Sequence, residues 1–148
     1  MKPRTSLFLP FILLLIALGG ILVFRSLPKQ ELQVFPATVN RDCAPWDGAA
    51  FMISIQYDPV TTIMISIWKP PNIQLPFRFI LPDGEGQVGN AYILSELGPY
   101  VQLNGEVSFE SVEVGIPVAG RFSFTSERGG QFEGQFIAEW GEQVVMCG

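Results

Sequence analysis

Two patterns of apolar and polar positions divide this chain. Residues 7–24, "LFLPFILLLIALGGILVF", are an unbroken run of uncharged, mainly apolar residues, with Lys2 and Arg4 before it and Arg25 and Lys29 after it. At about 1.5 Å per residue a helix of that length reaches roughly 27 Å, close to the ~30 Å hydrocarbon core of a bilayer. From residue 48 onward the pattern changes to short alternating stretches broken by Gly, Pro, Asn and Asp. Such alternation predicts half-buried β-strands joined by turns, and no stretch there keeps a helical period.

The clearest stretch, "FMISIQYDPVTTIMISIWK" at 51–69, spells MISI twice. Paired as one antiparallel hairpin with a loop at 58–62, it puts Ile53, Ile55, Ile63, Ile65 and Ile67 on one face, which predicts core. Met52, Ser54, Gln56, Met64, Ser66 and Trp68 then share the other face. That face is mixed rather than polar, so either these strands are covered on both sides or Met52, Met64 and Trp68 form a partner or ligand surface.

"IQLPFRFIL" alternates Ile73, Leu75, Phe77, Phe79 and Leu81, and "PDGEG" follows as a turn. Asn104-Gly105 reads as a hairpin turn between "YVQL" and "EVSFESVEV". In the last hairpin Phe122 and Phe124 face Phe132, Phe136, Ala138 and Trp140 around "ERGG". Gly120 and Gly134 stand where a neighbouring aromatic needs room or the strand bends.

About seven to nine such strands predict an all-β domain. An antiparallel β-sandwich is the first expectation, and a small up-and-down β-barrel the alternative. The domain order reads as a cytoplasmic stub at 1–6, a transmembrane signal anchor at 7–24, a juxtamembrane tether at 25–42 and an extracytoplasmic β domain at 43–148. The slight excess of positive charge before the run favours the N-terminus inside. A cleaved signal ending near Gly19, giving a secreted product, is the competing reading; a buried core helix is the third.

The only cysteines, Cys43 and Cys147, lie near the two ends of the β domain. In an oxidising compartment the pair reads as a disulfide closing a loop of about 100 residues. Unpaired buried thiols and thiol chemistry are the alternatives, but there is no Cys-x-x-Cys, no third Cys and no His.

Charge and chemistry narrow the function classes. Residues 31–148 hold five basic and all 14 acidic residues, and 5 − 14 gives −9 against −5 for the whole chain. That field repels a phosphate backbone, so no nucleic-acid partner is expected. Without His the usual general base of a nucleophilic triad is missing. Glu133 and Glu139, six residues apart on one strand, would stand roughly 20 Å apart, beyond glycosidase geometry. Glu133 with Arg121 suits a surface ion pair instead.

"PDGEGQVGN" lacks the spaced acidic ladder of a calcium loop, and no phosphate-binding glycine motif occurs. Trp46 follows Cys43 too closely for an immunoglobulin core. No catalytic set, metal site or cofactor is predicted. The leading expectation is a membrane-anchored, non-catalytic binding or envelope-assembly domain with a protein partner. A barrel holding an apolar ligand and a carboxylate-only hydrolase are the alternatives.

Overall fold

Alternation along the chain places one side chain in two inside, and the computed structural model shows what the inside is. It describes residues 32–71, 77–82, 88–95, 98–142 and 145–147. The stub at 1–6 and the apolar run at 7–24 lie outside the described residues. The described elements are eight strands: β1 Val34–Cys43, β2 Ala49–Asp58, β3 Thr61–Ile67, β4 Phe77–Leu81, β5 Gly89–Ser95, β6 Val101–Phe109, β7 Val118–Ser126 and β8 Gln131–Trp140. No helix occurs among the described residues.

Seven of the strands close a ring in the order β1-β2-β3-β5-β6-β7-β8, with β8 returning to β1. Neighbours in the ring alternate in direction, and an odd number of alternating strands cannot close without one parallel pair. That pair is β1 with β8, running from Val34 opposite Gln135 to Val39 opposite Trp140. The domain is therefore a closed barrel rather than the two-sheet sandwich that was the first expectation. Strand alternation distinguishes inside from outside in either architecture and is silent on closure.

Two further expectations are corrected. The segment read as a tether to residue 42 holds β1, whose Phe35, Ala37 and Val39 alternate inward while both its edges are bonded. The short apolar set and Pro36 conceal that strand. Asn104-Gly105 is no turn but the middle of β6. Gly105 has φ +151°, and a Cβ there would meet the Ser123 carbonyl oxygen at 2.1 Å. The glycine serves close strand approach at a point where β6 changes partner. Before it, Val101 and Gln102 pair with β5; from Gly105 to Phe109 the same edge pairs with β4.

The β2–β3 hairpin has the expected faces, with Phe51 opposite Ile67, Ile53 opposite Ile65 and Ile55 opposite Ile63. Its turn is tighter than expected, with Asp58 already opposite Thr61. The β7–β8 hairpin pairs Phe124 with Phe132 and Gly120 with Phe136. Arg121 lies opposite Gln135 rather than Glu133, and an ion pair forms instead between Arg78 of β4 and Glu106 of β6.

The interior is filled with side chains. Phe51, Ile53, Ile55, Ile63, Ile65 and Ile67 are wholly buried. Towards the upper end, where β1 finishes, Phe109 stands against Phe51, Phe79 and Phe136 with ring centroids 5.7, 5.8 and 6.0 Å away. At the other end Tyr57 packs on Phe35, Phe132 and Phe122. The Trp140 indole N–H donates to the carbonyls of Glu113 and Ile116, both at 2.9 Å, and holds the β6–β7 connection to the upper end.

Gly120 and Gly134 do make room for rings: an added Cβ would lie 2.5 Å from Phe136 Cζ and 2.4 Å from Phe35 Cε2 respectively. Gly134→Ala should therefore destabilise the barrel by roughly 1–3 kcal/mol through overpacking. Combining it with Phe35→Leu should give a loss smaller than the sum of the two single losses, read by urea denaturation. Strict additivity would show that Phe35 is not what the alanine strikes.

Candidate functional site

The outward side of strands has to be explained as carefully as the inward one. Outward positions on β2, β3 and β5 line up by register into rows. Met52, Ser66 and Asn90 form one; Ser54, Met64, Tyr92 and Gln102 of β6 form the next; Gln56, Thr62 and Leu94 form a third. None of these side chains is charged. The opposite wall, on β4, β6, β7 and β8, presents Arg78, Glu106, Arg121, Glu133 and Glu139 at its outward positions. In a domain of net charge −9 the charges are thus gathered away from one arc of the barrel.

That arc carries the residues singled out by sequence. Met52 and Met64 are half-buried on adjacent strands, each directly opposite a serine. Trp68 lies one residue beyond β3, where its backbone N–H donates to the Val88 carbonyl at 2.8 Å. Its ring meets the edge of Trp46 at 5.7 Å. Trp46 arrives from the β1–β2 loop, a tight connection in which Asp47 takes the left-handed φ of +62° and Gly48 leaves space for the Trp46 indole. Aspartate tolerates that conformation better than most residues.

Tyr92 and Tyr100 make a second crossed pair, with centroids 5.3 Å apart and planes at 85°. Trp46 is 54% exposed and Tyr100 70% exposed. Large aromatics standing in water on an uncharged wall are the usual composition of a contact surface and are unusual for a plain solvated one. Ser66, although it points outward, is only 7% exposed. The Asn90 Oδ1 beside it is buried with no hydrogen-bond partner among the described residues.

Sequence reasoning singles out Met52, Met64 and Trp68; the structure adds Trp46 beside Trp68, and Tyr92 with Tyr100 beside Met64. The alternation of "VGNAYILSEL" marks Tyr92 as outward, yet only the β3–β5 register shows that it joins the same wall.

Two groups on this side have shifted acidities. Burial, with smaller contributions from Tyr100 and Asp42, raises the Tyr92 phenol above its ordinary value, so it remains a hydroxyl donor at neutral pH. At the β2–β3 turn the Val60 N–H, 2.9 Å from Asp58 Oδ1, and the Thr61 side chain hold the Asp58 carboxyl below the ordinary carboxylate value. A depressed pKa stabilises the fold above the unfolded carboxylate value, and that contribution is lost as pH falls through the folded one. Asp58 is fully exposed, so the effect is small. An NMR titration should place its midpoint below that of a model aspartate, and Asp58→Asn should remove this part of the acid sensitivity. A midpoint at or above the model value would show that the turn hydrogen bonds do not form in solution.

The remaining chemistry is sparse. Glu133 and Glu139 are both on the outward side of β8, which is extended between them. Among the described residues no group of three or more Cys, Asp and Glu side chains is close enough to hold a metal ion. Cys43 and Cys147 are paired as a disulfide, with Cα atoms 5.5 Å apart, joining the end of β1 to the segment beyond β8.

No protein-family model, curated protein or solved structure matches this chain.

Proposed function

We propose that this protein is a non-catalytic binding module whose barrel engages a protein partner through the uncharged wall of β2, β3 and β5. The observation that carries the reading is the segregation of charge. The outward rows of β2, β3 and β5, with Met52, Met64 and Tyr92, carry no charge, while the other wall presents Arg78, Glu106, Arg121, Glu133 and Glu139. Binding energy at interfaces concentrates in aromatic anchors with water excluded around them, and charge at the centre opposes that. The filled interior favours the wall over the lumen as the place where a ligand would sit, which weighs against the apolar-ligand barrel.

The module would be held at a membrane by residues 7–24, with the barrel on the extracytoplasmic side and a role in assembling an envelope complex. The disulfide pairing of Cys43 with Cys147 suits such an oxidising location. The test is site-specific photo-crosslinking in intact cells, combined with labelling by a membrane-impermeant maleimide. A crosslinker at Met64 or Tyr92 should give a discrete adduct that one at Arg121 or Glu133 does not. The cysteines should react from outside the cell, and only after reduction. Equal adducts from both walls would remove the assignment of the surface. Labelling only after lysis, without reductant, would remove the location.

A further inference from the structure

The uncharged wall is not flat. A cleft of about 360 Å³ is lined by Tyr92, Tyr100 and Gln102. A second, of about 300 Å³, is lined among others by Val60, Thr62 and Leu94. Tyr92 and Leu94 are successive outward positions of β5, so about 7 Å of strand separates them. The first cleft lies on the β6 side of β5 and the second on the β3 side, so the two are offset diagonally across that strand.

Their chemistry is specific. The Tyr92 and Tyr100 rings meet edge to face and make one aromatic ledge, with Tyr100 70% exposed. Gln102 Nε2 donates to the Ala91 carbonyl at 3.1 Å, which leaves its Oε1 as an acceptor, and the Tyr92 hydroxyl is a donor. A proline ring stacks on such an exposed tyrosine face, and a backbone carbonyl beside it could accept from the tyrosine. An extended polyproline-type chain presents that combination. It has no internal hydrogen bonds and repeats every three residues, or about 9 Å. A step of two to three residues, about 6–9 Å, brackets the strand spacing. Such a chain is already ordered before it binds, so little conformational entropy is lost.

Charge selects among such chains. Asp58 stands in the turn whose Pro59 and Val60 line the second cleft. Asp42 is near enough to the first for its charge to act on the Tyr92 phenol. The second cleft thus has a carboxylate at its rim, within a domain of net charge −9. We propose that the two clefts along β5 bind an extended proline-rich segment that carries Lys or Arg beside its proline core. This rests on the reading of the wall as the binding surface. A neutral saccharide would stack on the same rings but gain nothing from the acidic rim, and a second copy of this chain would bring like charge to it.

The experiment is a fluorescence-anisotropy titration of the full chain, kept in a neutral detergent, with a short labelled peptide. That peptide has a Pro-x-x-Pro core and an arginine at each end. Three competitors are used: the same peptide with glutamate ends, the same with serine in place of proline, and a neutral oligosaccharide. The arginine peptide is expected to bind. Glutamate ends or the loss of proline should each weaken it about tenfold or more, and salt should weaken it further. Tyr100→Ala should weaken it about tenfold, and Leu94→Ser, in the second cleft, should also weaken it; the side chains are 70% and 41% exposed and both point outward, so the core is left intact. Equal affinity for the serine or glutamate peptide, tighter binding of the oligosaccharide, or indifference to both substitutions would overturn the proposal. If the peptide fails while the Met64 crosslink persists, the ligand class is wrong and the wall stands. If both fail, the wall assignment falls with it.

Discussion

Replacing Cys43 and Cys147 together by serine is expected to lower the unfolding free energy by roughly 4–5 kcal/mol, measured by urea denaturation. The two residues are separated by 104 positions, so the bond closes almost the whole domain into one loop. In the chain-entropy description its effect lies in the unfolded state, which it keeps compact. The folded ring does not depend on it. β1 remains bonded to β2 on one edge and to β8 on the other. The variant should therefore keep the circular-dichroism spectrum of the native barrel while its denaturation midpoint falls and its urea dependence steepens slightly. The only local change expected is in residues 145–147, beside which Cys147 Sγ lies 3.6 Å from the Asp42 carbonyl oxygen. A loss under about 1 kcal/mol would mean that the bond does not form, or that the reduced chain stays as compact as the oxidised one.

The second large effect is in the core. Phe109 is 2% exposed and meets three other rings, those of Phe51, Phe79 and Phe136. Phe109→Ala removes the side chain from a closed interior in which neighbours on every side belong to bonded strands, so collapse around the gap is limited. A destabilisation of about 3–5 kcal/mol follows from the lost transfer and cavity terms, with the ring pairs pushing it towards the upper end. Phe109→Leu should retain more than half of that stability. Tyr100→Ala, by contrast, should change stability by no more than about 0.5 kcal/mol, because the ring is mostly in water. If Phe109→Ala proved as mild as Tyr100→Ala, the upper core would not be packed as the ring contacts describe.

How much of this can be read from the amino-acid order depends on the range of the interaction. The β2–β3 and β7–β8 hairpins and their inward faces are legible because their partners are close in sequence and the isoleucines and phenylalanines alternate, although the exact register is not, since a shift of two residues keeps the same faces. Gly120 and Gly134 stand out because each lies within an aromatic strand, yet only Gly120 makes room for a ring of its own hairpin, Phe136; the ring at Gly134 is Phe35, about 100 residues away. Gly105 is not legible. Its neighbour Asn104 gives it the local signature of a turn, and only the approach of β7 across the sheet requires a glycine inside a strand. β1 is missed because half of its reason to be a strand comes from β8, about 100 residues away. Closure into a barrel is hidden behind the same long-range pair. The candidate site divides along this line too. Met52, Met64 and Trp68 sit on one hairpin and can be grouped by alternation. Tyr92, Tyr100 and Trp46 come from other elements and reach the wall only through the β3–β5 register and the fold of the β1–β2 loop.

The parallel pairing of β1 with β8 also sets a schedule. β1 leaves the ribosome early, but one of its two edges waits for a strand made about 100 residues later, which at about 5–20 residues per second is roughly 5–20 s. Throughout that interval the half-built sheet has two open sides, and open strand edges invite pairing with whatever chain is nearest. The hazard is greatest for nascent copies of this same sequence on neighbouring ribosomes, whose β8 would fit as well as its own. A holding factor, or delivery of the chain in an extended state across a barrier, would keep each first strand for its own last one.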